Sequence, residues 1–390
     1  MSEYRTIREL CSIVVDCPHS TPTWTSEGKI VVRNNNIKNG RIDLSSPSYT
    51  DEEHFLQRIK RAVPQPGDLI ITREAPIGDV GMIPEGVECC LGQRMVLLRA
   101  DSSICDNYYL LYSLQSRYVQ HQISWSEGTG TTVSNLRIPH LEQIKIPYLP
   151  LPKQKAIASV LRSLEEKMSI NRKINDNLEQ QAQALFVAWF VNFIPFGGTA
   201  PDDWQYVRFA NFLTPRTEKS NDPSLPMFSV TDTGIYPRDE KFKKNLSMSN
   251  TKNKVIYNTD LVFGMSREIL NWGIMRYAIG GVSSAYNVFS VSDTINSFYL
   301  ESYIKHNGSY FRDLIKPASR EGQGIDKNVL MQKQILLPPF DVLQSYYSIE
   351  NALTRKVAYN QAENARLAEL RDTLLPRLMT GEIDVSDIDA

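Results

Sequence analysis

Cysteine is scarce: the 390-residue chain has five, Cys11, Cys17, Cys89, Cys90 and Cys105, all in its first third and none in a CxxC pair. An odd number at such spacings excludes a disulfide framework and a thiolate metal site, and reads as reduced thiols. No run of eighteen apolar residues occurs, and the opening Met1-Ser2-Glu3-Tyr4-Arg5 lacks the charged-then-apolar order of an export signal. A soluble, cytoplasmic chain without a membrane segment is expected. The five histidines, His19, His54, His121, His140 and His306, show no ligand spacing, so no metal site is expected. Charge of one sign is missing as well, with a net charge of -1. Phosphate neutralisation by Lys and Arg dominates the affinity of a lone DNA binder, so a nucleic-acid role here needs local patches or partner proteins.

What the chain does have is a repeat. Gly40 falls on Gly234, Arg73-Glu74 on Arg267-Glu268, Glu127-Gly128-Thr129-Gly130 on Glu321-Gly322-Gln323-Gly324, and Leu136 on Leu330, all at one offset. A proline-rich apolar segment follows each copy, Ile144 to Pro152 in the first and Ile335 to Phe340 in the second. Then comes a long helical pattern. In the first, Ile157, Leu161, Leu164, Met168, Asn171, Ile174, Leu178, Ala182, Leu185 and Trp189 step by threes and fours, with no Gly or Pro between Lys153 and Asn192. In the second, Tyr346, Leu353, Val357, Asn360, Leu367, Leu374 and Leu378 keep the same phase, and Asn171 and Asn175 fall on Asn360 and Asn364.

The order is therefore globule, helix, globule, helix, over residues 1–150, 151–195, 196–340 and 341–390. A helix of ~38 residues spans about 57 Å, too long for one small domain to cover its stripe, so the two stripes are expected to cover each other as an antiparallel pair. Asn171 and Asn360 either pair across that seam and set its register, or face solvent. Strand-like runs at Asp68-Leu69-Ile70-Ile71-Thr72, Arg94 to Leu98 and Asp260 to Phe263, with helical pieces at Asn107 to Gln122 and Asn296 to Ile304, predict mixed α/β (α+β) globules.

These features resemble the specificity-subunit family of type I restriction–modification systems. The resemblance rests on Asp68-Leu69-Ile70, Thr72-Arg73, Ile77-Gly78 and Gly81, the Gly-Thr stretch from Glu127 to Thr132, Ile146-Pro147 through Gln154, Ile170 to Asn175, and the ending Leu374 to Val385. In the second half, Met265-Ser266-Arg267-Glu268 lacks the Ile-Gly that follows the first Arg. The resemblance implies a non-catalytic subunit that reads double-stranded DNA, each globule taking one half of an asymmetric, bipartite target. It also implies two DNA methyltransferase subunits and two motor-endonuclease subunits as partners, which hold the S-adenosylmethionine, ATP and Mg.

An enzyme reading finds little support. Leu337-Pro338-Pro339-Phe340 comes closest to the Asn/Asp-Pro-Pro-aromatic loop of an amino-methyltransferase, but Leu337 has no side-chain acceptor for an amine. Pro195-Phe196-Gly197-Gly198 has the wrong glycine spacing for a cofactor turn, and no phosphate loop occurs. A self-contained methyltransferase or nuclease, and a protein scaffold that reads no DNA, remain the alternatives. Candidate DNA contacts are Arg73 and Arg267 as guanine readers, or as ion-pair residues. Gly128, Thr129, Thr131 and Thr132 could supply phosphate contacts, or a plain turn. The basic run Lys241, Lys243 and Lys244 completes the set. For the helix pair the expected interface is Ile157, Leu161, Leu164, Asn171, Leu178 and Leu185 against Leu353, Val357, Asn360, Leu367 and Leu374.

Overall fold

β-Branched and aliphatic runs form the strands expected of them in the computed structural model. It describes residues 3–38, 40–125, 135–220, 222, 224–238, 253–266, 268–315 and 324–385. The chain is mixed α/β and divides into two units, Met1–Asn171 with Gln361–Ala390, and Arg172–Asn360.

In the first unit β1 (Glu3–Thr6) pairs antiparallel with Lys145–Tyr148 at the other end of the globule. β2 (Cys11–Asp16), β3 (Leu69–Thr72), β4 (Val80–Met82) and β5 (Met95–Ala100) form an antiparallel sheet in the order β2-β5-β3-β4. Gly40–Ile42 and Ile37–Lys38 extend it beyond β4, and Ser48–Thr50, Lys29–Val32 and Cys89–Leu91 make a separate small sheet. α1 (Asn107–Gln115), capped by the Asp106 carboxylate on the Tyr109 N–H, packs Leu110 and Leu114 on the large sheet with Leu69, Val96 and Leu98. The expected single helix from Asn107 to Gln122 is two, because Ser116 leaves the helical region (ψ 148) and caps a second at Arg117–Ser124.

The second unit repeats the plan. β6 (Gln205–Arg208) pairs antiparallel with Gln334–Leu337. β7 (Leu213–Arg216), β8 (Leu261–Phe263), β9 (Trp272–Ile274) and β10 (Asn287–Val291) are all antiparallel in the order β7-β10-β8-β9, the same order as in the first sheet. α2 (Ser297–His306) takes the place of α1, capped in its turn by Asn296. Gly40 and Gly234 both sit at positive φ, 80° and 127°, which explains their recurrence where other side chains would strain the backbone. One equivalence shifts. Short helix, strand and long helix recur as Ile138–Gln143, Lys145–Tyr148 and Leu151 against Lys327–Gln332, Gln334–Leu337 and Phe340, which lays Leu330 on Leu141 rather than Leu136.

Both long helices form: α3 is Leu151–Phe190 and α4 is Phe340–Met379, shorter than the expected 151–195 and 341–390 segments at their C-terminal ends. α4 tolerates Pro376 near its end and closes at Gly381 (φ 73), where the Gly381 N–H donates to Leu378 O and the Glu382 N–H to Arg377 O. Each unit holds half of each helix. In the first, Ile157 and Leu161 of α3 share a core with Leu378 and Met379 of α4, and Arg371 lies 3.5 Å from Glu165 while Lys167 lies 3.5 Å from Glu363. Rising numbers in α3 meet falling numbers in α4, so the helices are antiparallel there. In the second unit the order is again antiparallel, Asn175 meeting Asn360 and Phe190 meeting Tyr346 edge to face at 4.9 Å.

Two details of the seam differ from expectation. Asn171 and Asn360 do not bond each other. Asn171 Nδ2 donates to Asn364 Oδ1 (2.9 Å) and Glu363 Oε2 (2.7 Å) in the first unit, and Asn360 Nδ2 donates to Asn175 Oδ1 (2.8 Å) in the second. The two pairs are counterparts under the repeat. Ile174 is 38% exposed and its place on the buried stripe is taken by Asn175, because at 100° per residue the seam has rotated by one position from Asn171. Leu164, Leu178, Leu185, Leu353, Val357, Leu367 and Leu374 are all half-buried on the inward side.

Candidate nucleic-acid interface

Strand register builds a polar edge on the first unit. Val96 lies opposite Asp16 and Met95 opposite Thr72, so the ends of β2 and β3 meet the start of β5, and the residues just beyond come together there. Arg73 is nine-tenths buried, and every guanidinium nitrogen has a protein acceptor. Nη1 donates to both Asp16 oxygens (2.9 and 2.8 Å), Nε to Leu136 O (2.9 Å) and Nη2 to Asn135 Oδ1 (3.2 Å). The Leu136 N–H returns a bond to Arg73 O. The arginine thus staples the strand ends to the chain that follows residues 126–134; to reach a base it would have to leave all four bonds.

Around that brace are exposed groups. Glu74 accepts from Asn135 Nδ2 (2.7 Å) and lies 3.2 Å from Arg94, whose side chain is half exposed and whose φ is 65°. Gln93 donates to His19 O and Thr21 Oγ1, and His19 pairs with Asp16 (2.9 Å). Arg33 lies 5.0 Å from the ring of the exposed Trp24. Arginine, glutamine and an exposed aromatic on one loop edge are the donors and faces that major-groove and phosphate contact use. None of Asp16, Arg94 or Trp24 stood out in sequence. Arg94 could have: it opens one expected strand run, as Arg73 directly follows another.

On the second unit the described cations are different ones. Lys219 and Lys254 form an antiparallel bridge, and Lys327 lies close enough to repel them. Burial, and then the neighbouring Lys327 and Lys219, pulls Lys254 below its usual range, while its Nζ donates to Tyr286 O (2.6 Å). Arg216 pairs with Asp260 (2.8 Å) and lies 4.7 Å from the Tyr257 ring; desolvation holds Asp260 above its ordinary value against that pairing. Counted from the aspartates that open β3 and β8, Asp68 and Asp260, Arg73 corresponds to Met265, not to Arg267. Arg267 itself, Gly128, Thr129, Thr131, Thr132, Lys241, Lys243 and Lys244 lie outside the described residues.

All five cysteines are buried and free, and burial pushes the Cys11 and Cys89 thiols up to about 12. Among the described residues no three His, Cys, Asp or Glu side chains gather as metal ligands would, and no helix is long and apolar enough to cross a membrane.

Two similar mixed α/β units, each with a polar or basic loop edge and half of each long helix, define an internally duplicated protein. Residues 2–180 match the type I restriction modification DNA specificity domain. The MjaIX type I restriction enzyme specificity subunit of Methanocaldococcus jannaschii is 25% identical over 83% of this chain and 79% of its own length. The putative MjaX specificity subunit of the same organism is 21% identical over 98% of this chain and 94% of its own. The crystal structure of a type I restriction-modification S subunit from M. genitalium shares the fold, with a TM-score of 0.56 at 16% identity over 96% of this chain and 95% of that one. Over most of its length the chain is thus similar to type I restriction enzyme specificity subunits, and its first 180 residues carry the match to the DNA specificity domain.

Proposed function

We propose that each unit reads one half of a bipartite, asymmetric double-stranded DNA target, and that the chain itself carries out no chemistry. The observation that carries this reading is the duplicated sheet, β2-β5-β3-β4 and β7-β10-β8-β9, with differing loop residues at corresponding edges. A shared scaffold with unlike contact residues is what reading two unlike half-sites requires. Arg94, Gln93 and Arg33 contact the first half-site, with Arg73 positioning their loops through Asp16. Lys219, Lys254 and Lys327 contact phosphates of the second, together with Arg267, Lys241, Lys243 and Lys244. Gly128, Thr129, Thr131 and Thr132 adjoin the first edge in sequence and contact phosphate there.

The long helices dock two methyltransferase subunits. Ile170 and Tyr359, which correspond under the repeat, are 52% and 59% exposed on α3 and α4, beside the buried Asn171 and Asn360. Apolar side chains at matching places on two helices offer one partner fold two equivalent seats. S-adenosylmethionine, ATP and Mg bind in the methyltransferase and the two motor-endonuclease subunits, in the cytoplasm. Coexpression with the methyltransferase subunit, followed by methylome sequencing, tests the reading. Adenine methylation at one gapped asymmetric motif, lost when this chain is omitted, is expected; methylation that does not depend on the chain would contradict it.

A further inference from the structure

The second unit contains a cavity of about 550 Å³ bounded by α2 and by its own halves of α3 and α4. Glu350 of α4 lines it. Its side chain is more than nine-tenths buried; Oε1 accepts from Thr354 Oγ1 (3.3 Å), and Oε2 has no partner among the described residues. A buried carboxyl oxygen without a donor is costly. The nearby cations are committed elsewhere. Arg276 donates to Glu301 and to Ser297 Oγ and lies over the Phe298 ring, and Lys305 pairs with Glu301 at 2.8 Å.

The first unit shows what such a place holds when it is filled. The offset that lays Asn171 on Asn360 also lays Glu165 on Thr354 and Ala182 on Arg371. There the Arg371 guanidinium stands 3.5 Å from the Glu165 carboxylate, which also accepts from the Tyr112 hydroxyl (3.2 Å). In the second unit the carboxylate is moved one helical turn, from the Thr354 position to Glu350. The arginine has become Ala182, whose side chain lines the open cavity. A half-buried guanidinium beside a carboxylate in one copy corresponds to open volume beside an unsatisfied carboxyl in the other.

We propose that this cavity binds a small molecule bearing a guanidinium group on a short alkyl chain. The planar fork donates to Glu350, and the chain lies on Leu178, Leu353 and Val357, which line the same space. Arg276 and Lys305 are both taken up by Glu301, which leaves Glu179 and Glu350 as the wall carboxyl groups that a cationic guest can meet. The site is separate from the loop edges assigned to DNA and does not depend on that assignment.

Calorimetric titration of the full chain, without DNA, with n-butylguanidinium and with the isosteric neutral n-butylurea tests the proposal. Saturable binding of the guanidinium, and binding of the urea weaker by about tenfold or more, are expected. Glu350→Gln should lose a similar factor. Ala182→Arg, which restores the internal guanidinium, should raise the melting temperature and no longer bind the ligand. Absence of saturable binding to the parent chain, or undiminished binding to either variant, overturns the proposal.

Discussion

At the residue scale, charged side chains divide into those that hold the fold and those left to act. Arg73 and Asp16 are nearly buried and bonded to each other. Removing one partner strands the other, and Arg73→Ala should lower unfolding free energy by about 3 kcal/mol in chemical denaturation. Arg94→Ala should leave stability nearly unchanged and instead relax base preference at one half-site, by roughly 1–3 kcal/mol in competitive DNA-binding titrations. Glu350 gives a pH signature. Burial raises its carboxyl to about 7 from a usual 4.5. Between those values the folded chain holds a proton that the unfolded chain has released. The stabilisation is therefore complete below about pH 4.5 and is lost as pH rises through 7. The loss amounts to at most about 3 kcal/mol, and a stability–pH profile of Glu350→Gln should lack it. Sequence reading singled out Arg73 as a landmark. It could not see the burial, because Asp16 and Asn135 approach it only through strand register and a long-range loop contact.

At the element scale, the helices were the most legible part of the chain. Their stripe repeats for many turns without Gly or Pro, and every position reports on the same seam. What the pattern could not resolve was which asparagine meets which. Asn171 and Asn360 are 1% exposed, yet each bonds the other's neighbour one turn on, Asn364 and Asn175. Asn360→Ala should therefore cost about 1–3 kcal/mol by orphaning Asn175, whereas the double change of Asn175 and Asn360 to Leu should recover most of that loss. Denaturation midpoints of the two variants decide it; equal losses would show that the amide pair contributes nothing at this place. The globules were harder to read. Their strands are only two to six residues long and several are apolar on both faces, so period and type were visible while pairing was not. The shift of Leu330 from Leu136 to Leu141 shows the limit, since a single offset cannot hold across loops that differ in length between copies.

At the scale of the whole molecule, the duplication connects sequence to function. Each unit carries one copy of the same sheet order and half of each long helix, so on the proposed reading either unit is expected to be exchangeable without redesigning the other. The direct test is to replace residues 196–340 with a second copy of residues 1–150, coexpress the chain with its methyltransferase subunit, and sequence the methylome. The account predicts that an asymmetric gapped motif becomes one whose two halves are the same sequence in opposite orientation, both matching the half-site of the first unit. Methylation still confined to the original asymmetric motif, or spread over sites with no repeated half, would contradict it.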